Sequence, residues 1–256
     1  MTDLLGAPGL AELREVAGCR ALLAFDFDGT LAPIVRHSDD AAMRPRTRRL
    51  LAQIALRFPC AIISGRRLSD LRARFDGIAI RWFIGNHGAE GVVPFPGAKG
   101  LRLTVIGWRD ALQAEIDQWA GTRIEDKGFS LSVHYRNAVD TRGARDAISR
   151  LAVGLPSVRV VPGKCVVNLV LDGAPNKGRA LAHLVGLLEP ERVLFAGDDD
   201  TDEDAFEMDL GVPSTTIRVG GTGPSRARFR LEGQDAIDRL LQILLDSKTG
   251  VTEEEE

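Results

Sequence analysis

Ala21-Leu22-Leu23-Ala24-Phe25-Asp26-Phe27-Asp28-Gly29-Thr30-Leu31 is the stretch on which the reading of this chain turns. Its first five residues are apolar. A continuous apolar run of that length suits a strand covered on both faces, as in a parallel sheet. Two aspartates follow at once, where open α/β sheets bind ligands, beyond the carboxyl ends of the strands. Asp26 and Asp28 stand two residues apart, so an extended backbone puts both carboxylates on one side. Two carboxylates that close repel each other unless a proton or a cation intervenes. A hard cation resolves that repulsion, and carboxylates plus water suit magnesium. An Asp-Gly pair after a strand is also an ordinary polar turn, so the surroundings decide.

Outward from this stretch the same rhythm returns. After Pro45, residues Leu50, Leu51, Ile54, Ala55 and Phe58 fall at helical spacing, and the apolar runs Cys60 to Ile63 and Trp82 to Ile84 follow. Strand, helix, strand in this order predicts βαβ units and a doubly wound α/β sheet. The middle of the chain reads differently. Trp108, Ala111, Leu112, Ile116 and Trp119 mark one helix face, and Phe129, Leu131, Val133 and Tyr135 alternate with Ser130, Ser132, His134 and Arg136. That period of two predicts a half-buried antiparallel strand. A helix near Arg142 to Ala152 and strands at Val158 to Val161 and Cys165 to Leu171 complete this part. The first pattern then resumes with a helix stripe at Ala180, Leu181, Leu184, Val185 and Leu188 and strands at Val193 to Ala196 and Thr216 to Val219. A closing helix carries Ile237, Leu240, Leu241, Leu244 and Leu245. The expected architecture is one α/β core, residues 1–96 and 173–256, interrupted by a mixed α/β cap domain, residues 97–172.

Three further stretches carry chemistry. Gly197-Asp198-Asp199-Asp200-Thr201-Asp202-Glu203-Asp204 follows the strand at Val193 to Ala196. Acidic residues favour a helix start, but five Asp and one Glu in seven positions exceed what one cap requires. A metal shared with Asp26 and Asp28 accounts for the excess. Ser64-Gly65-Arg66 follows the strand at Cys60 to Ile63. Ser64 is either a helix cap or, with neighbouring backbone N–H groups, a phosphate cradle. Lys177 precedes the helix stripe at Ala180. A lysine there opposes the helix dipole, so helix stability does not explain it. Together these pieces supply a nucleophile, an acid/base, an anion cradle and a metal, which is the set that phosphoryl transfer requires.

Bulk properties narrow the classes. The chain has 256 residues, 44% hydrophobic and 27% charged, with net charge −3. That is long enough for a sizeable core and ordinary for a globular protein. The scattered arginines and the slight negative charge give no electrostatic footprint for nucleic acid. No run approaches the roughly 18 apolar residues of a membrane span. The N-terminus carries Asp3, Glu12 and Glu15 and does not read as a signal peptide. Cys19, Cys60 and Cys165 are odd in number and widely spaced, which argues against a disulfide framework or a zinc site and for a reducing cytoplasm. The tail Glu253 to Glu256 is a charge run.

In their order along the chain, the four stretches resemble the motifs of the haloacid dehalogenase superfamily. Within it the sequence is similar to the trehalose-6-phosphate phosphatase family. That likeness rests on Gly85-Asn86-His87-Gly88-Ala89-Glu90, on Glu125-Asp126-Lys127-Gly128 with Ser130 and His134-Tyr135-Arg136, and on Gly197-Asp198-Asp199 with Thr201 to Asp204 and Phe206. It runs from about residue 20 to about residue 245. The resemblance implies that Asp26 attacks phosphorus and becomes an aspartyl-phosphate. It implies that Asp28 protonates the leaving sugar oxygen and later activates water. Mg2+ would be held by Asp26, the Asp28 backbone carbonyl and Asp198, with Asp202 behind a metal-bound water. Ser64, Gly65 and Lys177 would bind the phosphoryl group. Arg66 of the core and Lys127, His134, Arg136, Lys164 and Asn168 of a mobile cap are the candidates for contact with the substrate. A trehalose-phosphate synthase in the same pathway is the implied partner. The turn at His87 is open between a structural and a functional role.

One departure is specific to this chain. After Gly163-Lys164-Cys165-Val166 the family usually shows Glu-x-Arg-Pro, and here Asn168-Leu169-Val170-Leu171 stands instead. Asn168 is neutral and both donates and accepts, where a carboxylate only accepts. This keeps other substrates open beside trehalose 6-phosphate, such as glucosyl- or mannosyl-phosphoglycerate or sucrose phosphate. A non-catalytic sugar-phosphate sensor is a third reading. Intact Asp26, Asp28, Lys177 and Asp198 argue against it.

Overall fold

The computed structural model describes residues 1–91, 98–163, 165–173 and 175–249. The chain divides into two compact units, Met1–Val92 with Asn176–Glu256, and Val93–Pro175. These boundaries lie a few residues outside the expected 97–172. In chain order the first unit contributes β1 (Thr2–Asp3), α1 (Ala7–Gly18), β2 (Ala21–Phe25), α2 (Pro45–Ala55), β3 (Cys60–Ile63), α3 (Leu68–Arg74) and β4 (Trp82–Ile84). The second unit follows with α4 (Ala98–Ile116), β5 (Arg123–Asp126), β6 (Ser130–His134), α5 (Thr141–Val153), β7 (Val158–Gly163) and β8 (Val166–Leu171). The chain then returns with α6 (Lys177–Leu188), β9 (Arg192–Gly197), α7 (Glu203–Phe206), β10 (Ser214–Val219), β11 (Phe229–Leu231) and α8 (Ile237–Thr249).

The first unit is a doubly wound α/β layer. Its seven strands run in the order β1-β11-β10-β9-β2-β3-β4, and every pairing is parallel. Alternation along the central strands sorts their side chains to two faces. Leu23 and Phe25 of β2, with Leu194 and Ala196 of β9, join the core beneath α1, α2 and α8. Leu22 and Ala24, with Val193 and Phe195, join the core beneath α6 and α7. Both faces are covered, which is why these strands read as unbroken apolar runs. The chain winds outward from β2 to β3 and β4 on one side, and returns through β9 to β10 and β11 on the other. The winding therefore reverses between β2 and β9, and a crevice forms there at the carboxyl ends. Asp26 leaves β2 and Asp198 leaves β9 at that reversal.

Local chemistry sets the helix ends. Pro45 occupies the first turn of α2, where its missing N–H costs nothing. The Asn176 side chain accepts from Arg179 N at 2.8 Å and starts α6 directly at Lys177. Glu189, in the left-handed region, closes the same helix.

The second unit is antiparallel, in the order β5-β6-β8-β7. Leu131, Val133, Val167 and Leu169 pack with Trp108 and Leu112 of α4 and with Ile148 of α5. The Trp108 indole N–H donates to the Pro156 carbonyl at 2.9 Å. The expected half-buried strand at 129–136 is a correction. Ser130 and Ser132 are buried along with Leu131 and Val133. Ser132 Oγ donates to Asn168 Oδ1 at 2.6 Å, so the polar row is internally bonded.

Among the described residues no helix is long and apolar enough to cross a membrane. Phe195 is buried at the centre of the parallel sheet. Phe195→Ala is expected to cost ~3–5 kcal/mol in urea unfolding, with spectroscopically unchanged secondary structure.

Candidate active site

The acidic loops at the two central strand ends meet. Asp26, Asp198 and Asp202 each bring a carboxylate oxygen to within 4.8 Å of the others. Asp26 continues β2 by one rung, its N–H donating to the Ala196 carbonyl at 2.9 Å. Asp202 is fully buried. Its Oδ2 accepts the backbone N–H groups of Asp198 and Asp199, both at 3.0 Å. Its Oδ1 accepts from Lys177 Nζ at 2.6 Å. Asp202 thus folds the Asp198–Asp202 loop and anchors the lysine. Lys177 is itself buried, with Nζ also 2.9 Å from Asp26 Oδ1. Burial alone would lower its pKa, but the Asp202 and Asp26 carboxylates outweigh that and hold it well above the ordinary lysine value.

Two glycines make the approach possible. A Cβ at Gly29 would lie 2.0 Å from Asp198 Oδ2, and a Cβ at Gly197 would lie 2.2 Å from the Asp202 carboxyl carbon. Gly29 also has φ +83°, a conformation that side-chain-bearing residues seldom adopt.

The cluster fits a hard cation. Burial pushes the Asp26 carboxyl up to about 7, against the pull of Lys177 and with Asp202 and Asp28 adding to it. Burial likewise pushes Asp198 up to about 9, with Asp26 and Asp202 adding. Negative charge is therefore under-compensated here, and protons or a cation must balance it. Asp198 Oδ1 is buried and has no hydrogen-bond partner among the described residues. An all-oxygen donor set of this kind suits Mg2+.

Asp28 behaves differently from its near neighbour, which corrects the expectation that both carboxylates meet one cation. β2 ends at Phe25, and the N–H groups of Thr30, Leu31 and Ala32 all turn back onto the Phe27 carbonyl. The period-two argument lapses in that turn. The Asp28 carboxylate pairs with Arg66, Nε to Oδ2 and Nη2 to Oδ1, both at 2.6 Å. Arg66 Nη1 reaches Asp70 Oδ2 at 2.8 Å, and Nη2 also reaches the Ser38 carbonyl at 2.7 Å. Arg66, expected among the substrate contacts, is engaged here with Asp28, Asp70 and the Ser38 carbonyl.

Ser64 is buried at the end of β3, four residues before α3 begins, so it is not that helix's cap. Its hydroxyl accepts from Arg66 N at 3.3 Å. The turn at 85–90 is stitched to this loop: Asn86 N donates to the Arg66 carbonyl at 2.7 Å, and His87 N donates to the Ser64 carbonyl at 3.0 Å. A Cβ at Gly65 would lie 2.5 Å from His87 Cε1, so Gly65 lets the ring lie against the loop. Positive φ at Asn86 and His87 makes this turn possible. Sequence reasoning left this turn open between a structural and a functional role, and an Asn-His-Gly run is a signal for left-handed backbone.

The substrate candidates of the second unit are spread out. Lys127 lies in the β5–β6 turn, whereas His134 ends β6 and Arg136 is exposed just beyond it. Asn168 sits in β8 on Ser132, and Lys164 lies outside the described residues. His134 Nε2 is 2.7 Å from Glu125 Oε2. Burial would raise the Glu125 carboxyl, but the His134 bond and the Lys127 charge overcome it and hold Glu125 down at about 2. The sequence reading did not single out this pairing.

Comparisons with known proteins converge. The sequence profile of the family described as trehalose-phosphatase matches residues 24–233. A trehalose-phosphate phosphatase of Mycobacterium bovis is 34% identical over 271 residues, covering 98% of this chain and 68% of that protein. Among solved structures, a trehalose-6-phosphate phosphatase related protein is 25% identical with a TM-score of 0.74, over 91% of this chain and 100% of the other. The C-terminal domain of the Candida albicans trehalose-6-phosphate phosphatase shares the fold, with a TM-score of 0.78 at 22% identity over 96% of this chain and 99% of that one.

Gly29→Ala is expected to push the Asp198 carboxylate off its position and lower turnover by up to ~100-fold, the scale that a 1 Å misplacement can cost. Initial rates paired with far-ultraviolet circular dichroism check it, because the fold should persist.

Proposed function

This chain belongs to the trehalose-phosphatase family of phosphoric monoester hydrolases, and from that membership we propose that it hydrolyses trehalose 6-phosphate through an aspartyl-phosphate on Asp26. The single observation that carries the reading is the buried contact of Asp26 with Lys177 at 2.9 Å, beside Asp198 and Asp202. A carboxylate needs its charge offset and its direction fixed to attack an anionic phosphorus. Lys177 does both for Asp26.

The chain's residues divide the work. One Asp26 oxygen forms the bond to phosphorus, and the bond from phosphorus to the sugar oxygen breaks. Asp28 gives that oxygen a proton as it leaves. It then takes one from the water that attacks the aspartyl-phosphate, which returns Asp26 as a carboxylate and releases phosphate. Ser64, the N–H groups of its loop and Lys177 bind the phosphoryl oxygens. Mg2+ held by Asp26, Asp198 and the Asp28 carbonyl, with Asp202 behind, would neutralise charge on the transferring phosphoryl group. Lys127, His134, Arg136, Lys164 and Asn168 are the proposed sugar contacts of the second unit, which acts as the cap. A trehalose-phosphate synthase would supply the substrate.

A second reading, another sugar phosphate, is favoured by one observation. Asn168 is neutral and its amide oxygen is already engaged by Ser132 at 2.6 Å. Phosphate release across a panel of sugar phosphates and phosphoglycerate glycosides separates the two, and trehalose 6-phosphate is expected to rank first in kcat/KM. A low rank there ends the trehalose reading while leaving the chemistry intact. Asp26→Asn is expected to remove turnover on every member of the panel without lowering the melting temperature. Residual wild-type-like turnover in that variant would refute the covalent route.

Cation binding and protonation compete for the same carboxylates. Asp26 at about 7 and Asp198 at about 9 both lie above the ordinary 3.8. The folded, cation-free protein thus binds protons that the unfolded chain has released. Its stability from these groups falls as pH rises from about 4 to about 9. Mg2+ displaces those protons, so the rise in melting temperature that it causes should be larger at pH 8 than at pH 5.5. Thermal melts with Mg2+ or with a chelator at both pH values read this directly, and an equal or reversed difference counts against the site.

A further inference from the structure

Arg66 presents a buried guanidinium at the edge of the site, and its geometry is more specific than charge balance requires. Its fork meets the Asp28 carboxylate squarely, with both bonds at 2.6 Å. A two-point pair of this kind fixes the plane of a carboxylate, which a single contact does not. The other end is braced. Nη1 bonds Asp70 Oδ2 at 2.8 Å, and Asp70 is held in turn by Arg74, with Nη2 2.9 Å from Asp70 Oδ1. Arg74 is anchored to the Ala41 carbonyl. Beneath both cations lies the Phe27 ring, with the Arg66 guanidinium carbon 5.2 Å and that of Arg74 5.7 Å from its centroid. Phe75 fixes the ring from its edge, with centroids 5.5 Å apart.

We propose that Arg66, braced by Asp70, is a positioning residue that aims the Asp28 carboxylate for proton exchange with the leaving sugar oxygen. The inference rests on the role given to Asp28 above. Arg66 takes one acceptor direction on each Asp28 oxygen, and each oxygen keeps a second. The Asp28 side chain remains 36% exposed, so the second directions are open to a substrate. Four of the five guanidinium N–H donors are engaged by Asp28, Asp70 and the Ser38 carbonyl. The guanidinium is therefore directed at the acid/base, and the phosphate is left to Ser64 and Lys177. Lysine at this position would keep the charge and lose the fork.

Leaving groups of different acidity test this. The kcat/KM of a covalent phosphatase reports the steps through departure of the leaving group. A sugar alkoxide needs a proton as it departs, and p-nitrophenolate does not. D28N sets the reference pattern, with an expected loss of ~10²–10⁴ on the sugar phosphate and little on p-nitrophenyl phosphate. R66K is expected to lose ~10–100-fold on the sugar phosphate and less than about threefold on p-nitrophenyl phosphate. D70N should show the same asymmetry at smaller size. Adding R66K to D28N should change kcat/KM by less than about threefold, because the two act as one unit. Equal losses on both substrates in R66K, or no loss on either, overturn the proposal. So does an additive double variant. If D28N itself treats both substrates alike, the role of Asp28 fails first, which separates the two failures. Should R66K not fold, D70N decides by the same asymmetry.

Discussion

Three carboxylates and one ammonium crowd into the space where β2 and β9 release their chains. Removing such charges from water is costly, by several kcal/mol for each unpaired ion. Lys177 offsets one of the three, and the remainder sets the terms for everything nearby. Gly29 and Gly197 clear room for the Asp198 and Asp202 carboxylates. Asn176 starts α6 so that Lys177 is its first residue. The Asp202 side chain ties two backbone N–H groups and the lysine into one rigid loop. The electrostatic deficit is a preorganised demand for positive charge beside Asp26, Asp198 and Asp202.

The two aspartates of the first motif are two residues apart and live in opposite environments. Asp26 is buried against a lysine within the acidic cluster. Asp28 is partly exposed and gripped by a guanidinium. Environments that separate paired carboxylates let one fold give identical side chains different chemistry. The turn over Phe27 causes the separation, because it ends the strand and swings Asp28 toward α3.

What was legible in the sequence follows from which forces act locally. Strands β2, β3, β4 and β9 announce themselves as apolar runs, because both their faces are covered. Asp26 and Asp198 were found from their position after such runs, and Lys177 from its conflict with the helix dipole. The Arg66 partner was not legible, because Asp28 and Arg66 stand 38 residues apart and only the sheet order joins them. β1 and β11 were missed since Thr-Asp and Phe-Arg-Leu are too short and too polar to form an apolar run. α1 was passed over although Leu13, Val16 and Ala17 are buried. Ser132 read as part of the polar face of a half-buried strand and Asn168 as a substrate contact, yet the two form a buried hydrogen bond across two strands.

The pairing of β2 with β9 has a temporal side. The Asp26 amide bonds to the Ala196 carbonyl, and a whole contiguous unit, Val93–Pro175, is threaded between them. During synthesis at about 5–20 residues per second, the nascent β2–β3–β4 edge waits on the order of ten seconds for its neighbour. The intervening unit has its own sheet and its own apolar core, and its sequence is made before β9. Until β9 emerges, one edge of β2 offers unpaired amides and carbonyls beside apolar side chains, a surface prone to pair with other chains. The fold that brings Asp26 and Lys177 together from distant parts of the chain therefore leaves one edge of β2 uncovered until β9 is made.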